Sequence, residues 1–474
     1  MSGLDPEDWG ALRAQGHRML DDMIDSLAGV ADAPLWQAPS DELRARFREH
    51  LPWAPASLAK VHGDFMADVA PYSSGNRHPG FMGWVQGGGT AVGMLAEMLA
   101  GGLNANLGGR DHMPIEVERQ VVTWMADLFG FGPQASGLFL TGTSQANFCA
   151  VLIARTRALG ARSRSHGLEG APLVAYASSA AHGCIGKALD MAGLGSAALR
   201  LIDTDDDGRI SLAALRAAIA VDRRAGRCPF LIVGTAGTVN TGAVDDLTGL
   251  ARIAIREDVS FHVDGAFGAL GILAADVAPM LAGIELADSL AFDFHKWGQA
   301  PYDAGFLLVR DQALHRETFA SEAAYLRRAD SGMAGGDWWP CDLGPDLSRG
   351  FRALKVWFTL KTYGLQAIGE SISGCCELAR ALAARIEASA ELELLAPVGL
   401  NIVCFGYRCG DNAAIVEALQ AAGRVAPSAT TVDGRVAIRA AIVNHRTQIA
   451  DIDALVDGVL ALGRAAGGQL QLAG

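Results

Sequence analysis

The stretch SLAFDFHKWGQAPYDAGFLLVR, residues 289–310, decides the fold. Two short apolar runs, SLAFDF and GFLLV, flank a turn that carries a single lysine, Lys296, between His295 and Trp297. Runs this short and this apolar read as strands covered on both faces. A lysine is usually a solvated surface charge. At the end of a buried strand and beside aromatic rings, desolvation instead lowers its pKa and frees a neutral amine for Schiff-base chemistry. On this stretch alone both readings of Lys296 stand.

Working outward, the same pattern recurs. LVAYAS (173–178), FLIVGTAG (230–237) and SFHVDGAF (260–267) alternate with helical stretches at Gln145–Ala158, Leu212–Asp222 and Leu247–Glu257. Such alternation predicts an α/β domain over residues 81–354, with a mostly parallel sheet and helices on both faces. The preceding residues, 1–80, read as helices with charged faces, broken near Pro34, Pro39, Pro52 and Pro55. They offer few strand signals and too little core to stand alone. Residues 355–474 begin with long helical runs. They continue into candidate strands NIVCFGY (401–407) and RVAIRAAIV (435–443) and a helix near Asp451–Leu462, which predicts a small α+β domain.

Composition narrows the function. With 39 Lys+Arg against 52 Asp+Glu the net charge is −13, which argues against nucleic acid and anionic membranes as partners. Half of the 474 residues are hydrophobic and 19% are charged, which excludes a disordered chain. No uncharged apolar run reaches the ~18 residues of a spanning helix. The start, MSGLDPEDWG, lacks a secretory pattern, so a soluble cytoplasmic protein is expected. Eight cysteines form no CxxC pair, so neither a disulfide framework nor a metal site is predicted, and adjacent Cys375 and Cys376 read as buried thiols. The acidic run DTDDDG (203–208) mimics a calcium loop. Ala214 stands where that loop needs a bidentate Glu, so the run reads as a turn before a helix starting near Ser211.

Three further elements bear chemistry. Asp264 in FHVDGAFGA (261–269) falls at the carboxyl end of a strand, where open α/β sheets bind ligands. A protonated pyridine nitrogen would be a suitable cationic partner; a helix cap is the plainer alternative. In LFLTGTSQANFCAVLIART (138–156) a strand runs through Gly142, Thr143 and Ser144 into a helix. That is either an anion site or simple N-capping. His182, after LVAYA, would stack on a planar ring, shuttle a proton, or serve only the structure.

Taken in order, the GTS helix start, His182, HVDGA and DFHKW resemble the group II pyridoxal-phosphate-dependent amino acid decarboxylases. That family includes the aromatic-L-amino-acid, glutamate and cysteine sulfinate decarboxylases and has the fold type I architecture. HPGFMGWV (78–85), PIEVERQVVTWMADLFGF (114–131), FRALKVWFTLKTYG (351–364) and RVAIRAAIVNHRT (435–447) extend the resemblance over essentially the whole chain. It implies that Lys296 carries pyridoxal 5'-phosphate covalently and Asp264 pairs with the pyridine nitrogen. His182 stacks on the ring and Ala266 packs on the other face. Thr143, Ser144 and His295 hold the phosphate, and Thr238 lies close to the ring substituents. Asp293, where some members carry Asn, is placed just behind the cofactor. A lid carrying AAYLRRADSG (323–332) brings in Tyr325 to protonate Cα after CO₂ leaves; alternatively Tyr325 is an ordinary loop residue. Related aldehyde synthases tend to carry Phe there, so Tyr325 favours plain decarboxylation over oxidative deamination.

The resemblance also implies a homodimer with its sites at the subunit interface. For the substrate it leaves a choice. Phe81 and Trp84 match positions that give aromatic pocket walls. Gly87-Gly88-Gly89 replaces a bulkier segment, and LNANLGGRDH (103–112) places Asn104 and Asn106 as in the glutamate and cysteine sulfinate branch. There Arg110 or His112 would pair with an acidic side chain, unless Arg110 serves the dimer interface or solvent. The expectation is an aromatic L-amino acid, with an acidic one as the alternative. An aldehyde synthase, another lyase, a transaminase-like enzyme and a non-catalytic scaffold are further alternatives; the complete set of Lys296, Asp264, His182 and Tyr325 counts against the scaffold.

Overall fold

Strands ending in Thr235, Asp264 and Asp293 stand side by side at the centre of the protein, in a computed structural model that describes residues 3–321, 328–336 and 338–472. They belong to a seven-stranded sheet. In chain order its strands are β2 (Ser136–Leu140), β3 (Leu173–Ser178), β4 (Leu199–Ile202), β5 (Cys228–Thr235), β6 (Ser260–Asp264), β7 (Ser289–Asp293) and β8 (Gly305–Val309). Their spatial order is β2-β8-β7-β6-β5-β3-β4, and only β8 runs against its neighbours. The inner strands are buried along their length, as covering on both faces requires. Helices Thr143–Leu159 and Cys184–Met191 pack one face. Helices Met113–Leu128, Leu212–Arg224 and Leu247–Glu257 share the core on the other. This is the α/β, mostly parallel architecture of fold type I.

A smaller sheet of five strands has the order β1-β11-β12-β10-β9. Its members are β1 (Phe81–Met82), β9 (Leu392–Leu394), β10 (Ile402–Tyr407), β11 (Ala426–Val432) and β12 (Arg435–Ala441). Here the structure differs from the division at residue 81. Phe81 pairs in register with Ala426, so the stretch expected to open the large domain is an edge strand of the small one. The cause is packing: Met82 is fully buried in the small domain's core, and Phe81 clusters with Leu35 and Ala426. Helix Arg352–Glu387 joins the two sheets and kinks at Gly364, whose φ of 76° an L side chain rarely adopts.

Near the amino terminus, helices Trp9–Ala28, Asp41–Arg46 and Leu58–Asp68 are capped by Asp8, Ser40 and Ser57. Against the described residues they bury almost nothing. Gln15 is the one buried residue of the first helix, and the third has none. The DTDDDG run closes a turn in which Asp205 Oδ1 accepts the N–H groups of Asp207 and Arg209, and Ser211 caps the helix after it.

Candidate active site

The carboxyl ends of β5, β6 and β7, the start of helix Thr143–Leu159 and a segment of the small domain enclose a cavity of about 400 Å³. Strand geometry puts the chemistry there. Apolar residues fill the sheet, and the first polar side chain at each strand end meets the space beyond it.

Lys296 stands in the turn after β7, with Nζ 2.9 Å from Asp293 Oδ2. The other Asp293 oxygen accepts the Thr143 N–H at 2.7 Å. Asp293 thus ties the lysine to the helix start, and it lines the cavity itself. His295 Nδ1 accepts the Ala304 N–H, which leaves Nε2 to carry the hydrogen, 3.6 Å from Asp293 Oδ2. Its ring packs 4.2 Å from that of Tyr302, and burial holds its pKa below the ordinary value. Gly87 explains part of the triple-glycine segment. A Cβ there would lie 2.4 Å from the Lys296 carbonyl oxygen and 2.6 Å from that of His295. No larger residue allows the small-domain segment to close this near the lysine turn.

Asp264 is buried, and burial pushes its carboxyl pKa up against the opposing pull of Lys296, Asn147 and the Ala266 N–H. Asn147 Nδ2 donates to Oδ2 at 3.0 Å and the Ala266 N–H to Oδ1 at 3.2 Å. Ala266 is also part of the cavity wall. Thr143 is buried, its Oγ1 without a partner among the described residues, and Ser144 follows on the exposed side of the same helix turn. His182 lies exposed on the rim, its Nδ1 accepting the Cys184 N–H.

Several expected residues sit elsewhere. Thr238 is braced within its own loop by Thr241 and the Ala243 N–H; the threonine on the wall is Thr235, whose buried Oγ1 has no partner among the described residues. Phe81, locked in the small sheet, does not line the cavity, although its ring lies 6.0 Å from that of Trp84, which does. Asn106 Oδ1 accepts the N–H groups of Gly108 and Arg349, and Arg110 lies 4.7 Å over the Trp339 ring; neither lines the cavity. Tyr325 falls outside the described residues.

Other residues were not singled out from sequence. Arg439, on β12, lines the cavity 4% exposed. Its Nε donates to Val239 O and its Nη1 to Gly83 O and Ser428 Oγ, while Nη2 has no partner among the described residues. His262 and Asn147 lie behind Asp264. For these two a signal existed: His262 and Asp264 alternate onto one side of β6, and Asn147 follows Thr143 by one helical turn.

A lysine at a strand end, a buried carboxylate beyond the next strand and a helix start with an unpartnered hydroxyl define a pyridoxal-phosphate-type site. Comparison with known proteins agrees. Residues 39–408 match the pyridoxal-dependent decarboxylase conserved domain. An aromatic-L-amino-acid decarboxylase of Bacillus atrophaeus is 32% identical over 452 residues, 92% of each protein. Among solved structures, the glutamate decarboxylase domain of a Vibrio parahaemolyticus protein described as diaminobutyrate-pyruvate transaminase and L-2,4-diaminobutyrate decarboxylase superposes with a TM-score of 0.85. It is 26% identical and covers 97% of both chains. The Oryza sativa TDC structure with PLP and tryptamine shares the fold at a TM-score of 0.89, with 24% identity, over 97% of this chain and 100% of that one. The chain belongs to the pyridoxal-dependent decarboxylase family.

It is therefore a PLP-dependent amino acid carboxy-lyase, and its residues fit the cofactor. The buried, unpartnered Thr143 hydroxyl at a helix start suits the phosphate, Lys296 the aldehyde and Asp264 the ring nitrogen. When bound, pyridoxal 5'-phosphate supplies an electron sink for the Cα–carboxylate bond. The chain's part is to position the two partners.

Proposed function

We propose that the chain converts an aromatic L-amino acid to the corresponding amine and CO₂. The observation that carries this reading is the make-up of the cavity wall. Besides Lys296 it offers Trp84, Val85 and Phe267 as apolar surface and the Arg439 guanidinium for the substrate's own carboxylate. An acidic side chain would need a further cation. Arg110, the cation suited to that task, lies over the Trp339 ring, and Asn106 accepts the N–H groups of Gly108 and Arg349. The substrate class in the name of the Bacillus atrophaeus relative supports the same reading.

In this account Thr143 and Ser144 hold the phosphate, His295 braces that end of the site, His182 covers the ring from the rim, and Tyr325 returns the proton to Cα. The test is a screen of single L-amino acids against the holoenzyme, following CO₂ and amine by mass spectrometry. Equal amounts of CO₂ and amine are expected from aromatic substrates, with kcat/KM about 100-fold above that for glutamate or cysteine sulfinate. Turnover of the acidic substrates alone would transfer the specificity to Arg110 and Asn106. Tyr325→Phe is expected to lower amine yield and raise aldehyde and ammonia, with dioxygen consumed. An unchanged product ratio would remove Tyr325 from the proton step.

We also infer a homodimer in the cytoplasm. Apolar side chains without cover in one chain, among them Trp9, Trp53 and Phe65, support the first point. Eight unpaired thiols suit a reducing compartment and support the second.

A further inference from the structure

Behind Asp264 lies a line of buried polar side chains that the chemistry described so far does not use. Asn147 Nδ2 donates to Asp264 Oδ2 at 3.0 Å, Asn147 Oδ1 meets His262 Nε2 at 2.8 Å, and His262 Nδ1 meets Ser289 Oγ at 2.8 Å. Asn147 and His262 are 0% and 1% exposed, and Ser289 is 6% exposed. Most buried polar side chains in folded proteins are hydrogen-bonded, and each of these three is.

The donor directions follow from the acid at one end. An ionised carboxylate only accepts, so the Asn147 amide must turn its N–H toward Asp264 and its oxygen toward His262. That oxygen also only accepts, so His262 carries its hydrogen on Nε2 and leaves Nδ1 bare. Ser289 then donates to Nδ1. Three hydrogens point one way, from Ser289 through His262 and Asn147 to Asp264. The second Asn147 N–H is directed at Cys184 Sγ, 3.2 Å away, so the amide has no spare donor with which to turn round. Reversal would set the Asn147 oxygen against the carboxylate.

We propose that Asn147 and His262 are positioning residues that keep Asp264 ionised and aimed into the cavity, so that the proton between Asp264 and the cofactor's ring nitrogen stays on the nitrogen. Such a chain polarises each bond by the next, and it stabilises the charged form of an acid that burial alone would neutralise. Burial keeps His262 neutral, which leaves Nδ1 free to accept from Ser289. The role is independent of which amino acid is decarboxylated.

The test uses holoenzyme reconstituted with cofactor labelled with nitrogen-15 in the ring. Nitrogen NMR at fixed pH then reports the fraction of ring nitrogen that carries a proton. Asn147→Leu and His262→Phe are expected to lower the ratio of protonated to unprotonated nitrogen about ten-fold, while cofactor content stays at one per chain. His262→Gln, which can still donate toward Asn147, is expected to stay within about three-fold of the parent. Should the larger changes prevent folding, Ser289→Ala removes the terminal donor alone and is expected to shift the ratio about two- to three-fold in the same direction. Unchanged nitrogen signals in the folded, cofactor-loaded variants, Ser289→Ala included, would overturn the proposal and leave the chain as packing. A His262→Gln signal as far displaced as that of His262→Phe would overturn the donor assignment.

Discussion

Lys296 is held by Asp293 and lines one cavity with Asp264. Removing its amine takes away the covalent attachment and leaves the helix start and the carboxylate in place. Lys296→Ala is therefore expected to bind pyridoxal 5'-phosphate without an internal link and to lose turnover about a thousand-fold or more. Absorption of the dialysed protein and a single-turnover assay check both halves; normal turnover would remove the lysine from the chemistry. The residues legible in the sequence were those whose setting is local. Lys296, Asp264 and Thr143 each sit at the end of a strand or the start of a helix that the surrounding dozen residues define. Arg439 was not, because its place on the wall depends on β12 meeting the segment around Gly83, far away in the chain. The resemblance points to Thr238, which braces its own turn, and nothing local distinguishes it from Thr235, which faces the cavity.

At the scale of elements, a buried histidine ties helix Gln312–Phe319 to the sheet. His315 Nε2 donates to Leu343 O at 2.7 Å, so its Nδ1 accepts from the Ser136 hydroxyl at 2.8 Å. Burial pushes its pKa down to about 4 from 6.5. Between those values the unfolded chain binds a proton there that the folded chain does not. The stabilisation from a neutral His315 is thus complete above the unfolded pKa and is lost as pH falls toward about 4. The loss is roughly 1.4 kcal/mol per pH unit. His262 and His445, also held near 4, act in the same direction. Asp245, raised to about 6, opposes them in the lower part of the window. A pairwise comparison isolates the one group. The Tm advantage of the parent over His315→Gln is expected to shrink between pH 7 and pH 5, and a constant difference would contradict the assignment. Strands such as β6 and β7 were readable because both faces of a parallel sheet are covered, which leaves near-continuous apolar runs. β1 was not, since a two-residue edge strand has no periodicity to read.

For the whole molecule, the N-terminal helices bury too little to be stable where they stand alone. Trp53 is 90% exposed and Trp9 61%. A second copy covering them would give the segment the core it lacks. Sedimentation of the holoenzyme is expected to report a dimer. Replacing Trp9 and Trp53 with Ser is expected to weaken association at least ten-fold without unfolding the large sheet. A fully active monomer would contradict the account of that surface. Lys296, at the carboxyl end of the central sheet, is the lysine that would carry pyridoxal 5'-phosphate, and the cavity beside it is where the amino acid would lose CO₂. The most direct measurement is borohydride reduction of the holoenzyme followed by peptide mass spectrometry, with CO₂ release assayed before and after. The account predicts a pyridoxyl adduct on the peptide bearing Lys296, about one per chain, with CO₂ release abolished in step. An adduct on another lysine, or undiminished CO₂ release after full reduction of Lys296, would contradict it.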